Sequence, residues 1–361
     1  MKENMLNVQF DKYVEDVRSQ VQEHFGNYEI IARKLDCNNG IKRTVITCKF
    51  SIKNLIDKVD DALVEGKITV EKADELKREL SKSDKVYITL NSFIDRIYGL
   101  NLSSFYAVVS VINDIDNYDV EEEIRYRNAI EKIDDFKYMK KYVYLNLINT
   151  KRNKELLKNV PYIQFYDMSI TFRLLFSNTD PESKVIVTNE MLEKWNISLH
   201  ELFGAAYNNT LLISKPVIFS MDSLVKEMEA EESLFEAWSE EEKEVIKKAN
   251  NQMLIGTFEE LKDGAVLILY KDVLKKMAKQ LECKSLFVFP SSTSEIIVVN
   301  DLLYQENCGE TKEQVEEAAM KKVYEVNRSK VYPEEFLSDS VFRFDAVKGT
   351  ISKINGGDET E

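Results

Sequence analysis

The stretch FVFPSSTSEIIVVND (residues 287–301) sets two strongly apolar runs on either side of a proline and a group of hydroxyl side chains. Leu286 to Phe289 leave the first run without a polar side, so we expect a strand that is buried on both faces. The second run has the same apolar character. The stretch therefore predicts two adjacent core strands joined by a polar turn, which we call the serine turn (residues 290–295).

The segments around this hairpin alternate between strand and helix patterns. The strand patterns are YMKKYVYLNLI (138–148), IQFYDMSITFRLLF (163–176), KVIVT (184–188), MLIGTF (253–258) and AVLILY (265–270). Helix patterns cover residues 271–282 and a long segment that ends near Asn327, and capping-box sequences begin at Ser198, Ser239 and Thr311. We expect an α+β domain over residues 136–350, a mixed or antiparallel sheet with helices packed on it, followed by a disordered tail at 351–361.

The first 135 residues form a second predicted domain, since 361 residues fit two domains at roughly 150 residues each. An amphipathic helix over Phe10–Phe25 leads into a hairpin with Asn39-Gly40 as a two-residue turn, which sets Cys37 opposite Lys42 and Cys48 opposite Ile31. Residues 51–82 are predicted to be a charged helical hairpin inserted into this α+β domain. The apolar run Phe105–Ile112 is predicted to be a buried helix or strand.

A nucleophilic serine at the serine turn would need features that this sequence lacks. The strained nucleophile elbow requires glycines on both sides of the serine, and residues 290–294 read PSSTS. A serine also needs a base, and the chain has only His24 and His200. We therefore favour a structural turn, and keep a hydrolase or small-ligand site using Ser291, Ser292 and Glu295 as the alternative.

Charged residues of the C-terminal run EVNRSKVYPEEFLSDSVFRFD (325–345) stand among aromatic ones. Arginine and aspartate beside apolar anchors form either a structural ion-pair lock or a recognition site for a carboxylate or phosphate. Glu295 begins an apolar strand, so it lies at an exposed end or is held by a partner such as Arg328 or Arg343. The candidates for a ligand site or structural lock are Ser291, Ser292, Glu295, Asn327, Arg328, Asp339 and Arg343.

The segment KYMKKYVYLNLINTKRNKELLK (137–158) interleaves tyrosines with lysines and arginines. Such a pattern stacks bases and meets phosphates, but a half-buried strand with Val143, Leu145 and Leu147 inward and Tyr144 and Asn146 outward gives the same pattern. The candidate nucleic-acid residues are Lys140, Lys141, Tyr142, Lys151 and Arg152.

Composition limits the partners of the protein. Its net charge of -14 and pI near 5.0 argue against long-range attraction to nucleic acids or anionic membranes. Acidic residues in the opening MKENMLNVQFDKYVED stand where a signal peptide needs an apolar core, and no 18-residue apolar span follows. We expect a cytoplasmic protein without membrane contact whose partner is another protein, and no oligomeric state follows.

Metal and cofactor motifs are absent from the sequence. Four cysteines at positions 37, 48, 283 and 308 include no C-x-x-C pair, and two histidines do not complete a zinc ligand set. The Glu-rich stretch 227–244 lacks the Asp/Asn loop and glycine of a calcium site. Neither G-x-G-x-x-G nor G-x-x-x-x-G-K-[ST] occurs. We therefore predict no metal and no cofactor.

Five motifs are spread over most of the chain. They are the serine-turn stretch 287–301, the run 325–345, VYITLNSFIDRIYG (86–99), TKRNKELLKNVPYIQFYDMSITF (150–172) and VTNEMLEKWNISLHELFGAAYNNT (187–210). In their order along the chain they resemble a family of uncharacterised bacterial proteins, a domain of unknown function common in anaerobic Gram-positive bacteria and often found near mobile elements. The resemblance implies that residues 51–82 are additional sequence. It also implies that Ser294 stands where relatives carry a histidine before the glutamate.

The scarcity of catalytic residue types, beside well-marked strands and charged accessory helices, favours a non-catalytic protein that works by binding a partner. The resemblance implies a role in the biology of a mobile element or its host, and it carries no established activity. Hydrolysis or ligand binding at the serine turn is the first alternative. Nucleic-acid binding through Lys137–Lys158 is the second.

Overall fold

The computed structural model describes residues 2–82, 87–93, 103–176, 184–220, 253–301 and 311–354. The protein is α+β, with helices and antiparallel sheets. Its chain divides into two compact units, residues 1–139 with 175–185 (unit 1) and residues 140–174 with 186–361 (unit 2). The assignment of residues 1–135 and 136–350 as two domains stays a prediction.

Unit 1 packs helices on a three-stranded antiparallel sheet with the order β1-β2-β3. Its elements are α1 (Lys2–His24), β1 (Glu29–Asp36), β2 (Lys42–Phe50), α2 (Ile52–Val64), α3 (Val70–Leu80), β3 (Tyr87–Phe93), α4 (Ser104–Asp116), α5 (Val120–Ile130) and the short α6 (Phe136–Met139). One apolar core joins α1 through Val17 and Val21, β2 through Phe50, α2 through Leu55 and α4 through Ile115. The helical hairpin predicted over residues 51–82 corresponds to α2 and α3, and its apolar side chains, such as Leu55 and Leu76, are buried in this core.

The first hairpin differs from the prediction by one residue of register. Asp36 is opposite Lys42 and Ile30 is opposite Cys48, so the predicted pairs Cys37–Lys42 and Cys48–Ile31 are wrong. Asn39 and Gly40 do take positive φ angles of 61° and 70°. However, they belong to a 3-10 turn over Asn38–Gly40, and the connection takes five residues instead of two. A slip of one residue moves every side chain of a strand to the other face.

The cysteines of the described residues, Cys37, Cys48 and Cys283, are free thiols. Cys48 is buried in the core of unit 1, and burial raises the pKa of its thiol to about 12. A thiol in such a place behaves as a small apolar side chain. Cys308 lies outside the described residues.

Unit 2 contains two antiparallel sheets. Its strands are β4 (Val143–Asn149), β5 (Ile163–Phe165), β6 (Met168–Leu175), β7 (Lys184–Ile186, of which only Ile186 belongs to unit 2), β8 (Pro216–Ser220), β9 (Met253–Phe258), β10 (Ser285–Phe289), β11 (Ile296–Asn300), β12 (Phe342–Asp345) and β13 (Thr350–Lys353). One sheet has the order β4-β6-β5 with β7 on β6, and the other has the order β13-β12-β10-β11-β9-β8. The helices are α7 (Lys154–Leu157), α8 (Asn189–Trp195), α9 (Leu199–Ile213), α10 (Lys271–Gln280) and α11 (Lys312–Ser329).

The opening hairpin lies in the middle of the six-stranded sheet. β10 pairs with β11 on one side and β12 on the other, and Leu286 to Phe289 are all buried. The sequence prediction of two adjacent core strands is confirmed. The sheet is antiparallel instead of parallel, and α11 packs on the face of β10 that carries Phe287 and Phe289.

Three segments of unit 2 differ from the sequence predictions. AVLILY is a 3-10 helix over Gly264–Leu269 instead of a strand, because the N–H groups of Gly264 and Ala265 bond to carbonyls of the serine turn. The strand predicted from residue 138 starts at Val143, and all seven of its residues are buried because α9 and residues 264–269 both pack against it. Residues 351–353, predicted to belong to a disordered tail, lie in the edge strand β13. The Glu-rich stretch 227–244 and the Ser239 capping box lie outside the described residues.

Candidate functional site

The serine turn is closed by its own side chains. The hydroxyl of Ser292 donates to Oε1 of Glu295 at 2.6 Å, and the backbone N–H of Ser294 donates to the same hydroxyl oxygen at 3.1 Å. Ser291 and Ser292 are only 2% and 4% exposed. The arrangement fixes the turn locally and leaves little of either hydroxyl open to a substrate.

A second set of hydrogen bonds joins the serine turn to β9 and the 264–269 helix. The carbonyl of Ser294 accepts from the Gly264 N–H at 3.0 Å and from the Thr257 hydroxyl at 2.7 Å, and the carbonyl of Thr293 accepts from Ala265. A Cβ atom at Gly264 would lie 2.5 Å from the Ser294 oxygen and 2.5 Å from the Cα of Thr257. Only glycine fits this approach of three backbone segments.

The other edge of the turn pairs with a segment that we call the strap (residues 332–339). The Leu337 N–H donates to the Ser291 carbonyl at 3.0 Å, and the Thr293 N–H donates to the Glu335 carbonyl at 2.8 Å. Between these bonds, Ser292 and Phe336 stand opposite each other in an antiparallel bridge. The serine turn is thus held between the strap and Gly264, and these hydrogen bonds explain its conformation as a structural turn.

Glu295 is held by Ser292, and both arginines bond to other carboxylates. Burial raises the pKa of Glu295, the Ser292 hydrogen bond opposes that shift, and the carboxylate of Glu335 adds to it. Arg328 bonds to Asp339 and Arg343 bonds to Glu316. The expected contact of Glu295 with Arg328 or Arg343 is therefore not formed.

Asn327, Arg328 and Asp339 form one hydrogen-bonded cluster between α11 and the strap. Arg328 meets Asp339 with two parallel bonds of 2.8 and 3.0 Å, and its guanidinium lies 3.4 Å from the centre of the Tyr324 ring. The Asn327 amide donates to the Ser338 carbonyl and to Asp339. A bidentate pair of this kind raises the pKa of Arg328 and ties the end of α11 to the strap.

Arg343 belongs to a different cluster on β12. Its guanidinium lies 2.9 Å from Glu316 and 3.6 Å from Asp301, and it sits 5.1 Å from the centre of the Phe287 ring. Phe287 is the residue directly opposite Arg343 in the β10–β12 ladder. The seven candidate residues are therefore divided into three groups, of which the first two meet at the strap.

Sequence reasoning missed Asn149 and Asp167, which hold the strap from the end of β4 and from beside β6, and it did not link Arg152 to the strap. The Asn149 amide donates to the Leu337 carbonyl at 2.8 Å, and the Ser338 hydroxyl donates to Asp167 at 2.7 Å. The Arg152 guanidinium lies 3.7 Å from the centre of the Phe336 ring. Asn149, Arg152 and Asp167 lie in or beside the 150–172 motif. This motif and the run 325–345 both contributed to the family resemblance, which was the one sequence signal that connected the two segments.

A buried polar cluster next to Gly264 was also missed. The Tyr144 hydroxyl donates to Asp263 at 3.3 Å, and Arg173 lies 3.9 Å from the same carboxylate. Burial raises the pKa of Tyr144 well above its usual value, and the charge of Asp263 adds to the shift. Tyr144 was expected to face outward from a half-buried strand, and that expectation is wrong because both faces of β4 are covered.

The five candidate nucleic-acid residues are divided between the two ends of β4. Lys140, Lys141 and Tyr142 form a 3-10 turn before it, whereas Lys151 and Arg152 lie in the turn after it. A strand of 7 residues spans roughly 23 Å at ~3.3 Å per residue. The geometry gives two separate basic turns instead of one continuous track.

Among the described residues, no group of three or more His, Cys, Asp or Glu side chains is placed to hold a metal ion. Over the same ranges, no helix is long and apolar enough to cross a membrane.

Ser292 and Glu295 form a hydroxyl–carboxylate pair, but His200 and His24 lie in exposed positions on α9 and at the end of α1. What this arrangement does chemically is to satisfy buried polar groups.

Comparison with known proteins gives one match. The model of a family of unknown function (DUF5688) matches residues 69–346. The match includes α3, the serine turn and the strap. No curated protein and no solved structure matches the chain.

Proposed function

The chain belongs to the family of unknown function (DUF5688), and we propose that it is a non-catalytic binding protein whose partner, another protein, docks on the outward face of α4. A cytoplasmic location and a role in mobile-element or host-interaction biology belong to the same proposal. The observation that carries it is the exposure of large apolar side chains on one side of a helix whose other side is core.

The outward face of α4 consists of Phe105, Tyr106 and Val109, which are 64%, 57% and 38% exposed. Their spacing of one and four residues sets them on one side of the helix. The run Phe105–Ile112 was predicted to be buried, and this prediction fails for these three residues. Contiguous exposed apolar side chains mark interaction sites, and aromatic residues are enriched in the centres of protein interfaces.

The opposite side of α4 explains why this face is presented rigidly. Ala107, Val111 and Ile115 are buried in the core of unit 1, and Val108 is nearly so. A helix anchored in this way keeps its aromatic side chains outward without rearrangement of the backbone, and Phe and Tyr have only two χ angles to order when a partner binds.

The contacts of the serine turn support the non-catalytic part of the proposal. Ser292 donates to Glu295, and the serine hydroxyls are nearly covered. Each carbonyl of residues 291, 293 and 294 accepts a bond from the same chain. A nucleophile needs an open approach and a base, so these contacts favour a structural role over hydrolysis or ligand binding at the serine turn.

Paired affinity capture tests the proposal. The wild-type protein and a Phe105→Ser/Tyr106→Ser variant are expressed in the cells that contain the protein, and the captured proteins are compared by mass spectrometry. We expect a protein that is captured by the wild type and lost with the variant. With that protein purified, we expect the variant to bind at least tenfold more weakly, because central aromatic residues are typical hot spots.

The matched control is Leu212→Ser, which removes an apolar side chain that is 81% exposed on α9. It should capture the same proteins as the wild type. If no captured protein distinguishes the α4 variant from the Leu212 variant, docking on α4 is wrong. Covalent labelling of native Ser291 or Ser292 by a fluorophosphonate would overturn the non-catalytic part, since such probes react with activated serines.

A further inference from the structure

The basic turn (residues 150–154) is held firmly at the end of β4. Asn149 accepts the Arg152 N–H on its side chain at 2.8 Å, and the Asn149 carbonyl accepts the Asn153 amide at 2.8 Å. The Thr150 N–H donates to the Asp167 carbonyl. The positions of residues 151–154 are therefore fixed by buried partners on β4 and by the turn before β6.

Arg152 is oriented by an aromatic ring of the strap. Its guanidinium carbon lies 3.7 Å from the centre of the Phe336 ring, a distance typical of stacking, and Phe336 is itself only 6% exposed and is paired with Ser292. Stacking uses the face of a guanidinium and leaves its N–H edge free to donate in the plane. Arg152 is exposed, so this edge is open to solvent.

The basic turn has an unusual charge for this protein. Residues 150–158 contain four cations and one carboxylate, Glu155, in a chain of net charge -14. Glu155 is bound to Lys158. Within the described ranges, Lys151, Arg152 and Lys154 form no ion pair with an acidic residue.

We propose that the basic turn is a binding site for a compact phosphate group, either free phosphate or a small phosphate monoester, with the N–H edge of Arg152 bidentate to two oxygens and Lys151 and Lys154 adding charge. An arginine preorganised by stacking matches the planar spacing of phosphate oxygens. The inference is independent of docking on α4, which belongs to unit 1.

The ligand is a compact anion and not a nucleic-acid strand. Strand binding requires a continuous basic groove with open aromatic faces. Lys140 and Lys141 lie at the other end of β4, and the face of Phe336 is already covered by Arg152. Tyr144, the aromatic residue between the two basic turns, is 4% exposed.

Calorimetric titration of the full chain with phenyl phosphate and with inorganic phosphate at low ionic strength tests the site. We expect binding of phenyl phosphate that weakens as salt rises. Arg152→Gln should lower the affinity roughly tenfold or more, because charge-assisted bonds are lost. Arg152→Lys, which keeps the charge without the fork, should bind between the two.

The matched control is Arg78→Gln, which removes an exposed arginine on α3 without an aromatic partner. It should bind phenyl phosphate as the wild type does. Circular dichroism confirms that each variant is folded. Equal affinity of Arg152→Gln and wild type, or no binding by the wild type at millimolar ligand, overturns the site.

A single-stranded oligonucleotide serves as the third probe. We expect it to bind no more tightly than phenyl phosphate. Tighter binding that falls with Lys140→Gln/Lys141→Gln would overturn the inference in favour of a nucleic-acid track. If inorganic phosphate binds as tightly as phenyl phosphate, the site recognises the phosphate group and the phenyl group contributes nothing to the affinity.

Discussion

The serine turn and the basic turn both contact the strap, but they use their polar groups in opposite ways. Glu295, Ser292 and the neighbouring carbonyls find their partners within the chain. The guanidinium of Arg152, which carries the strongest donors of the basic turn, contacts the Phe336 ring and, within the described part of the chain, forms no ion pair, so its edge is open to solvent. The polar groups of the serine turn thus stabilise the fold, whereas the guanidinium edge of the basic turn is accessible to a ligand.

The difference matters for reading such sequences. A cluster of serines before a glutamate suggests a catalytic site. Buried polar groups must form hydrogen bonds, however, and such residues often do no more than bond to one another. An arginine in a turn attracts less attention, and it becomes informative only when its orientation is known. Substitutions in the two turns should therefore affect different quantities, stability in the first and affinity in the second.

Gly264→Ala should give the largest loss of stability. The added Cβ would lie 2.5 Å from the backbones of both Ser294 and Thr257, so two hydrogen-bonded segments must separate. We expect the free energy of unfolding to fall by about 3 kcal/mol, at the upper end of overpacking effects. Urea unfolding followed by circular dichroism measures it.

Gly204→Ala is the matched control for that substitution. Gly204 lies inside α9 with no atom within 4 Å of its would-be Cβ. Alanine should leave stability unchanged or raise it by about 0.5–1 kcal/mol, because glycine is unfavourable inside helices. A Gly264 variant as stable as the Gly204 variant would show that the serine turn is not held at this point.

Ser292→Ala should cost less than Gly264→Ala and more than Ser291→Ala. It leaves the carboxyl of Glu295 without its 2.6 Å partner and removes the acceptor of the Ser294 N–H. We expect a loss of about 1–3 kcal/mol for Ser292→Ala and under about 1 kcal/mol for Ser291→Ala. The described contact of Ser291 runs through its carbonyl, which alanine keeps.

Equal losses for the two serine variants, measured by urea unfolding, would contradict this account of the serine turn. A larger loss for Ser291→Ala would do the same. The pair is informative because the residues are adjacent and equally buried, and only the hydroxyl contacts differ.

Glu295→Gln should change how stability depends on pH. The pKa of Glu295 in the folded protein is raised above the ordinary 4.5, chiefly by burial. Stability from this group is therefore full below the ordinary pKa and is lost as pH rises through the raised value. Glutamine does not titrate and keeps an oxygen for Ser292, so the variant should gain stability relative to wild type as pH increases from about 4.5.

Unfolding midpoints at several pH values between about 4 and about 8 measure the difference. Glu193→Gln, an exposed substitution on α8, controls for the loss of one negative charge. A difference between Glu295→Gln and wild type that is constant across this range would contradict the predicted burial effect.

Much of the fold followed from local pattern, and the departures have identifiable causes. The 287–301 hairpin was predictable because two short apolar runs rich in β-branched and aromatic residues stand on either side of a proline-containing polar turn. AVLILY was misread as a strand because its first two N–H groups bond to the serine turn, a contact between distant parts of the sequence. The register of the first hairpin depended on whether the turn took two residues or five, which Asn39-Gly40 alone does not decide.

The candidate site was less predictable because its organising element is the strap. The sequence did show a polar and charged group within one short run, Asn327, Arg328 and Asp339. Their link to Ser291 through Leu337, and the stacking of Arg152 on Phe336, join residues that are far apart along the chain. Nothing in the spacing of serines and arginines indicates which carboxylate an arginine meets, and both arginines expected near Glu295 meet other acids.

The Arg328–Asp339 pair should give the smallest effect on stability, because both side chains are partly exposed to water. Its side chains are 43% and 37% exposed, and water screens such pairs. Bidentate geometry and the Tyr324 ring favour a coupling free energy near the upper part of the range, about 0.5–1 kcal/mol. A double-mutant cycle with Arg328→Gln and Asp339→Asn isolates it, since Asp339 also accepts from Asn327.

This coupling should fall as salt is raised, whereas the effects of Gly264→Ala and Ser292→Ala should not. The reason is that the pair at the end of α11 interacts through solvent-accessible charge, and the serine turn through buried hydrogen bonds. A coupling free energy above about 2 kcal/mol that does not change with salt would contradict this prediction, because it would show that the Arg328–Asp339 pair is shielded from water as the serine turn is. Arg152 would then be the one arginine at the strap whose guanidinium edge is free for a ligand among the described residues.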